Sequence, residues 1–144
     1  MDNKIKRLIR YYNKHFETND PFQIANHLGI MTFIQPLGGY SGMYKYLEHT
    51  RCIFLNSDIT ENESFLNVVM AHELGHAVLH WKENSCFMAH HTLMLTSRSE
   101  QEANRFAAYL LITDDMLNEY VGYTKDQFCN CTGYPKELID LRLQ

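Results

Sequence analysis

The sequence predicts an α+β fold in which helices pack around a small three-stranded sheet, antiparallel or mixed, and a central helix carries the chemistry. Three observations predict it. The stretch Phe65–Trp81 is apolar apart from Asn67, His72, Glu73, His76 and His80, and it is long enough to be a buried helix. Three short runs, Ile30–Ile34, Gly42–Leu47 and Arg51–Leu55, are rich in β-branched and aromatic residues, with Pro36-Leu37-Gly38-Gly39 and Asn56-Ser57-Asp58 as breaks. Beyond the central helix, Ser99–Leu111 sets Ala103, Phe106, Ala107, Leu110 and Leu111 on one helical face. Small residues at 103, 107 and 108 let this helix approach another closely, and its expected partner is the helix bearing His72.

The flanking elements follow in chain order. Ile5, Leu8, Ile9, Tyr12 and Phe16 recur at helical spacing with Lys and Arg between them, so an amphipathic helix is expected within residues 1–20. Asn19-Asp20-Pro21 supplies a cap and a first-turn proline for a second helix, which turns Phe22, Ile24, Ala25 and Leu28 inward and ends at Gly29. Glu61-Asn62-Glu63-Ser64 leads into the central helix, whose last turn is expected to hold His80 and Trp81. Lys82–Ser97 has mixed polarity and reads as a loop, and His90-His91 in it read as surface residues or outside candidates for substrate contact. The segment 113–144 carries further helical patterns, Asp114–Val121, Thr124–Cys131 and Lys136–Leu143, the last two joined through Gly133-Tyr134-Pro135 like a helix-turn-helix. Lys125, Lys136 and Arg142 are its only basic residues and Asp and Glu offset them, so packing or partner contact is favoured over DNA binding.

Composition narrows the function. A chain of 144 residues with 45% hydrophobic and 12% aromatic content is expected to form one domain, 1–144, with a real core. Its net charge of -4 and pI near 6.0 exclude a strong electrostatic grip on nucleic acid, so no direct nucleic-acid binding is expected. Met1–Arg10 lacks the apolar core of a secretory signal and no run approaches membrane-spanning length, which points to a cytoplasmic protein. Cys52, Cys86, Cys129 and Cys131 are therefore expected as reduced thiols. Cys129-Asn130-Cys131 lacks a second pair at finger-like spacing and reads as small hydrophobes.

The chemistry lies in His72-Glu73-Leu74-Gly75-His76, the H-E-x-x-H pattern of zinc-dependent hydrolases. Residues four apart on a helix share a face, so His72 and His76 can reach one ion. Glu73 sits beside them, where its carboxylate serves as general base rather than as a ligand. A buried helix does not carry two His and a Glu unless they are satisfied. His80 continues the four-residue series, but it lies about 12 Å along the axis from His72, too far to share the ion, and reads as a cap or outer support. A hydrolytic zinc site keeps three protein ligands and an open position. Glu100, on the same side of its helix as Ala103, Asn104 and Ala107, is the third-ligand candidate, and Glu102 is its rival. Asn104 can hydrogen-bond a histidine ligand from behind. An oxyanion donor is also needed, and Tyr40, Tyr44, His80 and His91 are the candidates. Gly38-Gly39-Tyr40-Ser41-Gly42 lacks the Lys-Ser/Thr ending of a phosphate loop and reads as a turn beside the site.

Taken together, Asp20-Pro21-Phe22-x-Ile24-Ala25, the short strands, His72-Glu73-Leu74-Gly75-His76-Ala77-Val78-Leu79-His80 and Glu100-x-Glu102-Ala103-Asn104-x-Phe106-Ala107-x-x-Leu110-Leu111 resemble the ImmA/IrrE family of metallopeptidases. The resemblance runs from about Pro21 to the last helix. It implies a zincin-like, gluzincin-type domain, a Zn2+ cofactor held by His72, His76 and Glu100, and Glu73 as catalytic base. It also implies a substrate, since several members from phages or integrated mobile elements cut a helix-turn-helix repressor and release transcription. The chain ends soon after Leu143, without the extension of larger relatives, which favours the small repressor-cleaving kind. The expectation is a cytoplasmic, monomeric zinc endopeptidase. The alternative is a regulator that binds a repressor or DNA-associated partner on the same scaffold without cutting it.

Overall fold

The computed structural model describes residues 1–88 and 97–144, among which there are seven α-helices and four strands. Helix α1 (Asp2–Phe16) turns Ile5, Ile9 and Tyr12 inward and stops at Glu17, whose φ of 56° is left-handed. The helix expected within 1–20 is thus complete by Phe16. Helix α2 (Pro21–His27) starts on Asp20, whose side chain accepts the Phe22 N–H at 2.9 Å. Gly29 then takes the positive φ of 72° that lets the chain turn into the sheet.

The sheet has four strands, not three. β1 (Met31–Gln35), β2 (Tyr40–Leu47), β3 (Thr50–Asn56) and β4 (Ser85–Met88) lie in the order β1-β3-β2-β4. β1 runs parallel to β3, with Met31 opposite Cys52, and the other pairings are antiparallel, so the sheet is mixed. β4 falls in the stretch read as a loop. Its four residues, Ser85-Cys86-Phe87-Met88, include no β-branched side chain and follow a polar turn, so they form a strand only because β2 offers an edge. The β2–β3 turn is Glu48-His49, both with positive φ, where a two-residue turn of this kind prefers Asn or Gly.

Helix α3 (Glu63–Leu79) begins at Asn62, whose side chain accepts the Phe65 N–H at 3.1 Å. Every residue from Val68 to Ala77 is buried, which explains why its sequence is apolar on all sides. The sheet covers one flank and helix α4 (Arg98–Leu111) another. Both contacts depend on glycine. A Cβ on Gly42 would stand 2.6 Å from Val69 Cγ1, and one on Gly75 would stand 3.1 Å from the Ala103 Cα. The helix ends at Leu79, before the expected His80-Trp81 turn. Side chains from the sheet bind carbonyls around this end: the Arg51 guanidinium donates to Ala77 O in the last turn at 3.2 Å and also to Leu28 O after α2 at 3.1 Å, and the Tyr44 hydroxyl donates to Trp81 O, beyond the helix, at 2.6 Å.

Three short helices close the chain: α5 (Asp114–Glu119), α6 (Lys125–Thr132) and α7 (Lys136–Arg142). Thr124 and Gln127 form a reciprocal capping box on α6, and Gly133 ends it with a φ of 80°. α7 packs on α4 and buries Leu138, Ile139 and Leu141. No helix among the described residues is long and apolar enough to cross a membrane.

Candidate metal centre

Helices α3 and α4 meet where Gly75 lets their backbones close up, and this places their polar side chains against each other in the core. His72 and His76, both 1% exposed, project from one face of α3 with their Nε2 atoms 3.1 Å apart. The Glu100 carboxylate from the first turn of α4 spans them, Oε2 lying 2.9 Å from His72 Nε2 and Oε1 3.0 Å from His76 Nε2. One ligand atom from each of these residues lies within 4.8 Å of the others. The structure thus brings Glu100 to the histidines and sends Glu102 to His80, with 3.2 Å between His80 Nε2 and Glu102 Oε1.

The arrangement fits a cation. Asn104 Oδ1 can only accept, so the His72 Nδ1 at 2.7 Å carries a proton, and the Nε2 of the neutral ring points its lone pair at the Glu100 carboxylate. A second imidazole nitrogen and two carboxylate oxygens gathered at that point repel one another unless positive charge lies between them. Burial raises the Glu100 carboxyl, but imidazoles that are protonated outweigh it through hydrogen bonds and charge and hold the carboxyl far below the usual carboxylate range, whereas neutral ones turn lone pairs to the same point, as ligands of an ion do. The cluster favours an anionic carboxylate facing two imidazoles, which is a metal-ligand set.

Glu73 lies one residue along α3 from His72 and is fully buried. The Ser85 hydroxyl, on β4, donates to its Oε2 at 2.9 Å, while Oε1 is buried without a partner among the described residues. Burial pushes the Glu73 carboxyl up to about 7, with the Glu100 charge adding to the rise and His76 and Ser85 opposing it. A carboxyl poised near neutrality, with one oxygen fixed and one free, can take and return a proton. Phe87, also on β4, packs its ring against His72 with the centroids 4.7 Å apart. The sequence reading missed Ser85 and Phe87 because it missed the strand that aims both of them, and their alternation on a strand was the one available signal.

The remaining candidates divide. Asn104 supports His72, as the helical spacing suggested. Tyr44 is buried and its hydroxyl is spent on Trp81 O, with burial pushing its pKa up to about 12, so it is not a free oxyanion donor. His80 caps α3 and engages Glu102. Tyr40 opens β2 and is 37% exposed. His90 and His91 lie outside the described residues.

A helix offering His-x-x-x-His and an intervening glutamate to a carboxylate on a neighbouring helix, beside a small mixed sheet, defines a metal-dependent peptidase. Residues 25–142 match the IrrE N-terminal-like domain. The chain is 33% identical over 141 residues to a protein of Bacillus phage phi105 named uncharacterized immunity region protein 2, covering 96% of this chain and 88% of that one. It is 30% identical over 143 residues to the metallopeptidase ImmA of Bacillus subtilis strain 168, covering 96% and 83%. The chain belongs to the ImmA/IrrE family of metallopeptidases.

Proposed function

We propose that this chain is a zinc-dependent endopeptidase that acts as a monomer in the cytoplasm and cuts a helix-turn-helix repressor of a phage or integrated mobile element, releasing the genes it silences. The observation that carries this reading is the half-engaged, fully buried Glu73 carboxyl beside a three-residue donor set. A scaffold that only binds a partner has no use for such a group. The names of the two relatives, one from a phage immunity region and one a metallopeptidase, supply the setting.

His72, His76 and Glu100 would hold the ion, two imidazoles and a carboxylate being a set that suits zinc. Bound there, zinc supplies Lewis-acid polarisation of the scissile carbonyl and lowers the pKa of water. The protein's own groups do the rest. Asn104 fixes the His72 ring so that its Nε2 faces the centre. Ser85 holds Glu73 Oε2, leaving Oε1 to accept the proton of the attacking water and pass it to the leaving amine. Among the described residues β4 is an edge of the sheet, and an extended segment of substrate can pair with it beside Glu73. Of the four oxyanion candidates Tyr44 has its hydroxyl on Trp81 O, and His80 has Nε2 on Glu102 and Nδ1 buried, which favours Tyr40 among the described residues.

The test is intact-mass analysis of the helix-turn-helix repressor encoded nearest this gene, co-expressed with the wild-type chain or with Glu73→Gln. Wild type should leave two fragments whose masses sum to the repressor plus one water, and the variant should leave it whole. A repressor that stays whole with both proteins, yet releases its operator, would replace proteolysis with displacement by binding.

A further inference from the structure

Glu100 and Glu102 sit two residues apart at the start of α4, about 200° apart around an ideal helix, and so they straddle the seam with α3. Glu100 serves the histidine pair. Glu102 does something the proposed chemistry does not use: it reaches past the centre to His80, the residue that caps α3, at 3.2 Å. Both side chains are nearly buried, at 10% and 11% exposure. The remaining polar atoms of the pair, Glu102 Oε2 and His80 Nδ1, have no partner among the described residues. Burying two such groups for one hydrogen bond costs stability unless the bond fixes something the fold needs.

What it fixes is the first turn of α4. Besides the Glu100–histidine contacts, the start of α4 meets the C-terminal half of α3 and the turn that follows it in further ways. Gly75 and Ala103 meet backbone to backbone. The Ser99 hydroxyl donates to Glu83 Oε2 at 2.8 Å, just beyond the end of α3, but on the exposed surface. The His80–Glu102 contact is the sheltered one. Arg98 Nε stands 3.7 Å from the same Glu102 oxygen, but its side chain is 84% exposed, so it adds little. Gly75–Ala103 sets how close the helices come at one point of the seam. Glu102 ties one side of the first turn of α4 to the end of α3, and so fixes the helix rotation that sets where Glu100, on the other side of the seam, stands.

We propose that Glu102, through His80, is a positioning residue for the metal centre: the pair locks the first turn of α4 so that the Glu100 carboxylate stands between His72 and His76 before an ion arrives. The inference rests on the metallopeptidase reading above. Losing a partner that orients a ligand typically costs about 10- to 100-fold in metal affinity.

The experiment is competition for zinc between a chromophoric chelator and the intact chain, with cobalt(II) absorption as the report on coordination geometry. Glu102→Ala and His80→Ala should each weaken zinc binding by about 10- to 100-fold and alter the cobalt spectrum. Glu102→Gln keeps an oxygen that accepts from His80 and should stay within about threefold of wild type, a rescue that general loss of packing would not give. The double variant should be no weaker than either single one, because the two residues form one device. Thermal melts of the chelated proteins separate misfolding from misplacement, and if Glu102→Ala does not fold, the comparison of Glu102→Gln with His80→Ala decides. Zinc affinity and cobalt spectrum both unchanged in folded Glu102→Ala or His80→Ala would overturn this inference alone. A wild-type chain that takes up no ion would overturn the metallopeptidase reading itself.

Discussion

Glu73 is the residue where stability and chemistry conflict. Its carboxyl ordinarily titrates near 4.5, and burial pushes it up to about 7 in the folded chain. Between those values the folded state holds a proton that the unfolded state has lost, so this group's contribution makes stability fall as pH rises through the window. The full difference is about 3 kcal/mol, at 1.36 kcal/mol per pH unit. Glu73→Gln cannot ionise and still accepts the Ser85 hydroxyl. The metal-free variant should therefore match wild type near pH 4.5 and exceed it by a growing margin up to pH 8, with turnover down about 10³-fold. Thermal melts of chelated protein across that range are the check, and curves that stay parallel would show that burial does not penalise the Glu73 charge. Part of this was legible at the level of single residues. His72, Glu73 and His76 come together because four-residue spacing fixes a helical face whatever the helix packs against. Ser85 was not legible, because a lone serine acquires meaning only from the strand that aims it.

Helix α3 shows at the next scale how backbone approach sets side-chain placement. A Cβ at Gly75 would meet Ala103 Cα and Phe106 Cβ at 3.1 Å and Ala103 O at 3.2 Å, and the backbone of a packed helix cannot yield as a flexible side chain would. Gly75→Ala gains up to about 1 kcal/mol of helix propensity but forces α4 away, at a strain cost of about 1–3 kcal/mol. The expected outcome is a modest net loss of stability by denaturant titration together with weakened zinc uptake, since Glu100 moves with α4. A Gly75→Ala chain that binds zinc as tightly as wild type would show that α4 does not need this approach. The elements themselves were readable to different degrees. α2 was plain, because Asp20 and Pro21 are a cap and a first-turn proline, and the α3–α4 pairing followed from small residues at 103, 107 and 108. The end of α3 was not: helical spacing continues through His80, whereas the helix stops at Leu79, where Arg51 from the sheet takes Ala77 O and Tyr44 holds Trp81 O just beyond it. Nor was the β2–β3 turn, where Glu48 and His49 adopt positive φ without the usual Asn or Gly. Such choices are made by tertiary packing, and local propensity does not contain them.

The whole molecule is held around the α3–α4 seam, with α1 and α7 backing α4 and α2 and the sheet backing α3. The helix-turn-helix pattern in the tail is committed to this packing. α7 spends Leu138, Ile139 and Leu141 on the core, Lys125 pairs with Asp140 at 2.6 Å, and Arg142 is held by Asp114 and Ile112 O. On the proposed metal reading, the same architecture would make the ion a part of global stability. His72 and His76 come from one side of the seam and Glu100 from the other, so unfolding either helix destroys the site, and an ion that binds only the folded chain shifts the equilibrium by mass action. With free zinc at about 1,000 times its dissociation constant the gain is about 4 kcal/mol. For a chain of this size that corresponds to a melting temperature about 10 °C higher than after chelation. Glu100→Ala removes the proposed third ligand and its charge, and should abolish nearly all of the zinc-dependent increment. Scanning calorimetry of both proteins with zinc and with chelator makes the comparison. Equal melting temperatures with and without zinc in wild type would mean that His72, His76 and Glu100 do not share an ion, whereas an increment that survives Glu100→Ala would place the third ligand elsewhere.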